Sequence, residues 1–167
     1  MSESSRTPAR PLKSRIWSTR RARWLLNVYP PFLFNRVVVR SIAENWQSLE
    51  LTIERSLLNK NLNGTTFGGS ISAAADPIHA ILFDQALVRR DVPAVAWTKR
   101  LTVRFVRPAK TRLRARFELG PSDLDDAARD LAAAGRFERT FEVSAVDLEG
   151  LPCAQIEVQV HLRGITP

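Results

Sequence analysis

Residues 69–89 limit the fold more than any other stretch: they are rich in Ala and Ile, show no period-two alternation, and run long enough for a mostly buried helix. Such a helix needs a cover, and the flanking sequence supplies strands. Val37-Val38-Val39 and then Leu49, Leu51 and Ile53, alternating with Glu50, Thr52 and Glu54 beyond a polar Glu44-Asn45 turn, predict a hairpin. Four strand-like stretches follow at 94–106, 111–119, 136–148 and 153–162. In the first of them Trp97, Leu101, Val103 and Phe105 alternate with Thr98, Arg100, Thr102 and Arg104, which predicts one buried face and one wet or ligand-facing face. Arg107-Pro108-Ala109-Lys110 and Glu149-Gly150-Leu151-Pro152 have turn composition, and Pro121-Ser122-Asp123 through Ala134-Gly135 reads as a capped surface helix. A six-stranded antiparallel sheet wrapped around one buried helix, an α+β fold, is the economical solution.

The N-terminal end behaves differently. Residues 1–15 contain Ser, Thr, Pro and Arg with few large apolar side chains and read as a disordered basic arm, leaving 16–167 as a single domain. Trp17, Arg20, Arg21, Trp24, Leu25 and Val28 recur at spacings of three and four, predicting a helix over 16–30 stopped by Tyr29-Pro30-Pro31. Its apolar face is expected to pack on the domain, with peripheral contact to a membrane as the lesser reading. The net charge of +8 resides in this end, because residues 1–40 hold nine Lys/Arg against Glu3 alone. Such a segment attracts phosphates, anionic lipid or nucleic acid, but no nucleic-acid module is recognisable in the body of the chain. Cys153 stands alone, so no intrachain disulfide can form, and no Cys/His spacing resembles a metal site. No apolar run approaches the roughly 18 to 20 residues of a membrane span, and no signal-peptide core follows the arginines. A cytoplasmic setting fits these features.

The chemistry-bearing segment runs from Asn61 to His79. A helix whose first turn is Gly68-Gly69 brings bare backbone N–H groups against a ligand, because those amides have no intrahelical partners and glycine permits close approach. Gly69 and Gly68 are therefore candidate oxyanion donors. Asp76 lies two turns further on, roughly 10 Å along the axis, in a segment otherwise made of small and apolar residues. Pro77 follows it and predicts a kink; the alternative makes Asp76 an N-cap with Pro77 at the first helical position. His79 could share a helical face with Asp76. Asn61 and Asn63 precede the glycines and could position substrate or water, although Asn63-Gly64 is also an ordinary turn pair.

This order of elements, with Gly64-Thr-Thr-Phe-Gly-Gly-Ser70 at the helix entrance and an acid seven residues after the second glycine, resembles the hotdog fold of acyl-CoA thioesterases. Asn27-Val-Tyr-Pro-Pro31, Asn59-Lys-Asn61, Asp76-Pro77 and Phe105-Val-Arg-Pro108 look like a poorly characterised bacterial thioesterase-like family within that superfamily. The resemblance implies a homodimer, possibly paired into a tetramer, with Asp76 as the catalytic carboxylate facing amides near Gly69 of the other chain. In the phenylacetate-type relatives the matching pattern is His-Gly-Gly followed by Leu-Ala-Asp; Phe67 stands here in place of that His, beside the substrate entrance. The implied substrate is an acyl-CoA or related thioester, with coenzyme A part of the substrate and no separate cofactor or metal. Its phosphates would meet Arg107 and Lys110, with Arg104 and Arg112 near the same turn. The acyl group would lie against Trp97, Phe83 or neighbouring apolar residues. A hotdog protein that binds acyl-CoA or lipid without hydrolysing it is the alternative.

Overall fold

The structure, a computed structural model, describes residues 16–165, so the basic arm over 1–15 lies outside the described residues. The expected α+β hotdog arrangement is present. Helix α1 (Thr19–Val28) starts where the Ser18 hydroxyl accepts the Arg21 N–H, and it buries Ala22 and Leu26. Helix α2 (Pro30–Phe34) corrects the single helix expected over 16–30. Pro30 and Pro31 occupy the first two helical positions, where a missing N–H costs nothing, so they begin a second helix instead of only ending the first. Trp24 and Val28 also depart from the packed face expected of them, at 64% and 46% exposure.

Strands β1 (Val37–Ile42) and β2 (Ser48–Ile53) form the hairpin, with a register irregularity between Val39 and Ser41. A 3-10 turn (Leu57–Asn59) leads to α3 (Gly68–Ala75) and α4 (Ile78–Val88), and the interruption between these two helices falls at Asp76-Pro77. Strands β3 (Ala94–Phe105) and β4 (Leu113–Glu118), helix α5 (Pro121–Ala134), and strands β5 (Arg136–Val146) and β6 (Pro152–Gly164) complete the order. Gly135 ends α5 in the left-handed region at φ 69°, where an L side chain would be disfavoured. The sheet order is β1-β2-β4-β5-β6-β3, which leaves β3 on an edge.

Helices α3 and α4 lie against one face of this sheet. Ile71, Ala75, Ile78, Leu82, Phe83 and Leu87 are all buried there, together with inward residues such as Leu51, Phe117, Val158 and Val160. Because α4 buries residues on every side, its sequence carries no amphipathic stripe. Helix α5 is pinned to the sheet by Arg139, which pairs with Asp123 and, at 2.7 Å, with Asp126. No helix among the described residues is long and apolar enough to cross a membrane.

In β3 the expected alternation fails at one point. The register with β6 shifts between Thr98 and Arg100, leaving Lys99 as the extra residue. A bulge of this kind reverses which side chains face the core. Thr98 is thus opposite buried Val160 and Leu101 opposite buried Val158, whereas Trp97 turns outward, 41% exposed and 4.4 Å from the His161 ring.

Candidate active site

The entrance to α3 is held by asparagines. Asn59 is buried, and its Nδ2 donates to the carbonyls of Asn35 (3.0 Å) and Glu54 (2.8 Å) while its Oδ1 accepts the Ser56 N–H (2.9 Å). Asn61 shapes the next turn: its Oδ1 accepts the N–H groups of Asn63 and Thr65, both at 3.0 Å, and its Nδ2 donates to Thr65 Oγ1. Gly64 completes that turn at φ +75°, so the ordinary-turn reading of Asn63-Gly64 describes the local geometry. From there Phe67 N–H donates to Asn59 O at 2.7 Å, and the Ser70 hydroxyl donates to Asn35 Oδ1 at 2.8 Å. The first turn of α3 is thereby fixed to α2 and to the 3-10 turn.

Both glycines of that turn sit beneath aromatic rings. A Cβ on Gly68 would lie 2.6 Å from Phe105 Cζ, and one on Gly69 would lie 2.8 Å from Phe67 Cζ. Real Cβ contacts are longer, so any side chain at these positions displaces a ring. Phe67 itself is 54% exposed and offers no side-chain cap to the helix. Ser70 N–H closes on Phe67 O, while Gly68 and Gly69 N–H have no acceptor among the described residues.

Asp76 ends α3 with helical angles, φ −50° and ψ −56°, and its N–H still bonds Ser72 O. The N-cap alternative does not describe this residue: a cap has extended backbone and accepts a first-turn amide, whereas Pro77 occupies that position and no side chain caps α4. The Asp76 side chain is exposed, and its carbonyl accepts a hydrogen bond from Thr98 Oγ1 on the edge strand.

A cavity of about 420 Å³ opens beside the helix entrance, with Asn61, Asn63 and Gly68 on one side and Phe105, Arg107 and Ala109 on the other. It gathers four of the residues singled out in the sequence. Arg107 is already paired, its Nη2 lying 2.6 Å from Asp147 Oδ2. Amide bonds from Leu151 and Glu149, together with Arg107, hold the Asp147 carboxyl below the usual range. Lys110 is exposed just past the cavity wall. Arg112 is bound to Glu54 at 2.8 Å and Arg104 to the Gln155 side chain. Burial pushes Glu54 up, but hydrogen bonds from Thr52, Arg40 and Arg112 outweigh it and hold the acid low.

Three other candidates lie elsewhere. His79 does not reach the cavity; it is 1% exposed, stacked on Phe141 at 4.3 Å and edge-on to Phe117. Burial lowers it to about 4, against smaller opposing effects of the Asp123 charge and a backbone bond with Glu118, so at neutral pH it is an uncharged core side chain. Phe83 is fully buried against Phe137 and Phe141. Trp97 is on the outer face. Asn59 and Thr98 were not foreseen; the Asn59-Lys-Asn61 motif was the one available signal, and it did not separate the buried clamp from the exposed loop. Among the described residues no three His, Cys, Asp or Glu side chains come together as metal ligands.

The model of a family described as a domain of unknown function (DUF4442) matches residues 19–162. Among solved structures, a Pseudomonas aeruginosa protein of unknown function described as a probable thioesterase superposes with a TM-score of 0.78 at 20% identity, over 87% of this chain and 95% of that one. A thioesterase from Haemophilus influenzae gives 0.65 at 11% identity, over 92% and 96%. The PaaI protein of the E. coli phenylacetic acid degradation operon gives 0.58 at 15% identity, over 88% and 92%. These likenesses establish the hotdog fold. No curated protein matches the sequence.

Proposed function

The chain belongs to this family of unknown function, and we propose that it hydrolyses an acyl-CoA-type thioester at the interface of a homodimer. The observation that carries the reading is the pairing, on one interrupted helix, of acceptor-free amides at Gly68 and Gly69 with an exposed carboxylate at Asp76. The thioesterases among the structural neighbours lend the fold-level analogy.

Seven helical steps separate Gly69 from Asp76, roughly 10 Å, so one chain cannot aim both at a single carbonyl. A second copy resolves this. Thr98, which holds the Asp76 carbonyl, lies on the free edge of the sheet, where Val95 and Trp97 are 42% and 41% exposed. In the dimer, Asp76 of one protomer would face the Gly69 amide of its partner. Its carboxylate would take a proton from water as the water oxygen attacks the thioester carbon, or attack that carbon itself. Negative charge forming on the carbonyl oxygen would be held by the N–H of Gly69, with Gly68 as a second donor. On the first route collapse breaks the C–S bond, the proton held by Asp76 passes to the leaving thiolate, and a carboxylic acid and a free thiol are released. On the second, collapse expels the thiolate and leaves a mixed anhydride on Asp76, which water hydrolyses to the acid while the thiolate takes up a proton. Arg107, already oriented by Asp147, and Lys110 would meet coenzyme A phosphates at the cavity mouth.

One observation favours non-catalytic acyl-CoA binding instead: the Phe67 ring stands where the matching thioesterase pattern has His and packs against the Cα side of Gly69, so it brings no hydrogen-bonding group to the candidate oxyanion site. Free-thiol release from short, medium, long and aromatic acyl-CoAs, with binding measured in parallel, separates the two. Turnover by wild type that is lost in Asp76→Asn supports hydrolysis; binding without turnover in wild type supports the alternative.

A further inference from the structure

We propose that the flank formed by α1, α2 and the 57–62 loop docks on an anionic lipid bilayer. Large apolar side chains stand out from it into solvent. Leu57, Leu58 and Leu62 are 89%, 69% and 105% exposed, and Trp24 and Phe34 are 64% and 66% exposed. Exposure at this level leaves the leucines without packing of their own. The elements are continuous: α1 passes into α2 at Tyr29, whose ring meets Phe32 edge-on at 5.8 Å. Helix α2 in turn is tied to the loop by the bond from Asn59 to Asn35 O. Clustered apolar exposure of this kind marks an interaction site.

The charges around it choose the partner. No acid occurs from residue 4 to 43 or from 55 to 75. Exposed Arg20, Arg21 and Arg23 lie on α1 beside Trp24, and exposed Arg55 and Lys60 flank the leucines. Arg20 and Trp24, four residues apart, are neighbours on one helical face. Arg20 and Arg23, with Thr19, Ser41 and Ile42, also line a depression of about 190 Å³, roomy enough for a phosphate headgroup. Arg6, Arg10, Lys13 and Arg15 add positive charge to the preceding sequence.

A second copy of the chain would place the same acid-free, cationic surface against itself, and like charges at a contact are repulsive. A nucleic acid offers no cover for aliphatic leucines, whose burial requires an apolar phase. An anionic membrane satisfies both halves of the surface, cations against headgroups and Leu, Trp and Phe among the acyl chains. The docking stands independently of the reaction at the cavity. If the cavity does take acyl-CoA, the loop that carries Leu62 also carries Asn61 and Asn63 of its lining, which brings its mouth to the lipid surface.

Co-sedimentation of the full chain with vesicles tests this without reference to turnover. Wild type is expected to sediment with vesicles of phosphatidylcholine and phosphatidylglycerol and not with phosphatidylcholine alone. Leu57→Ser/Leu58→Ser/Leu62→Ser and Arg20→Glu/Arg23→Glu are each expected to weaken binding by about tenfold or more, and added salt to do the same. The substituted side chains are exposed, so the fold should persist, with circular dichroism as the control. Absence of binding by wild type, or binding by either variant as tight as that of wild type, would overturn the proposal. So would unchanged binding of the leucine variant accompanied by a fall in its solution mass, which would assign the patch to contact between copies.

Discussion

The Thr98 hydroxyl donates a hydrogen bond to the Asp76 carbonyl, fastening the free edge of the sheet to the point where its central helix breaks. The break exists because Pro77 has no N–H to return to Ala73. Thr98→Val keeps the side-chain shape and removes the donor. It is expected to cost about 1 kcal/mol in stability, measured by denaturant unfolding. On the proposed reaction it should also lower kcat about tenfold with KM little changed, since it loosens the carboxylate without touching substrate contacts. Thr98→Ser should recover most of both, and unaltered kcat in Thr98→Val would detach this bond from catalysis.

The glycine pair makes a separable prediction. Gly69→Ala sets a methyl group into the Phe67 ring, and overpacking of this kind costs about 1–3 kcal/mol. Phe67→Ala in the same chain removes the clash, so the double variant should be more stable than Gly69→Ala alone. A double-mutant cycle in urea measures the coupling. Absence of coupling would mean that the ring moves freely away from Gly69.

What could be read in advance followed from local rules. The hairpin was legible because Leu49, Leu51 and Ile53 alternate with polar residues, and the end of α5 because Gly135 can adopt a positive φ. Pro30 and Pro31 signal a stop and a start equally well, so α2 was hidden. The bulge at Lys99 carries no glycine to announce it, and without it Trp97 is assigned to the wrong face. At the site, Asp76 was conspicuous as an acid in an apolar segment. The reason for Gly68 was not: it is Phe105, 37 positions away in sequence and visible only once the chain is folded. His79 was misleading for the opposite reason, since its nearness to Asp76 along the chain says nothing about the Phe141 and Phe117 rings that enclose it.

That burial gives His79 a measurable signature. Its folded value, about 4, is below the ordinary 6.5, so between those limits the unfolded chain binds more protons than the folded one. Stability is then fully present above pH 6.5 and is lost as pH falls toward 4, by up to about 3 kcal/mol. His79→Leu should flatten the dependence of Tm on pH within that window. An equally steep slope in the variant would show that other groups are responsible.

Mixed dimers test the division of labour between protomers. If the amide comes from one chain and the carboxylate from the other, a dimer built from one Gly69→Ala chain and one Asp76→Asn chain contains one fully damaged site and one intact site. Random mixing makes half the dimers of this kind, so two nearly inactive variants, unfolded together and refolded, should recover about a quarter of wild-type activity. Each variant refolded alone should remain nearly inactive, and size-exclusion chromatography with light scattering should give the mass of a dimer throughout. A site completed within a single chain predicts no recovery on mixing, since every chain then carries one lesion in its own site. Activity regained in the mixture alone would place Asp76 and Gly69 on opposite sides of the same thioester.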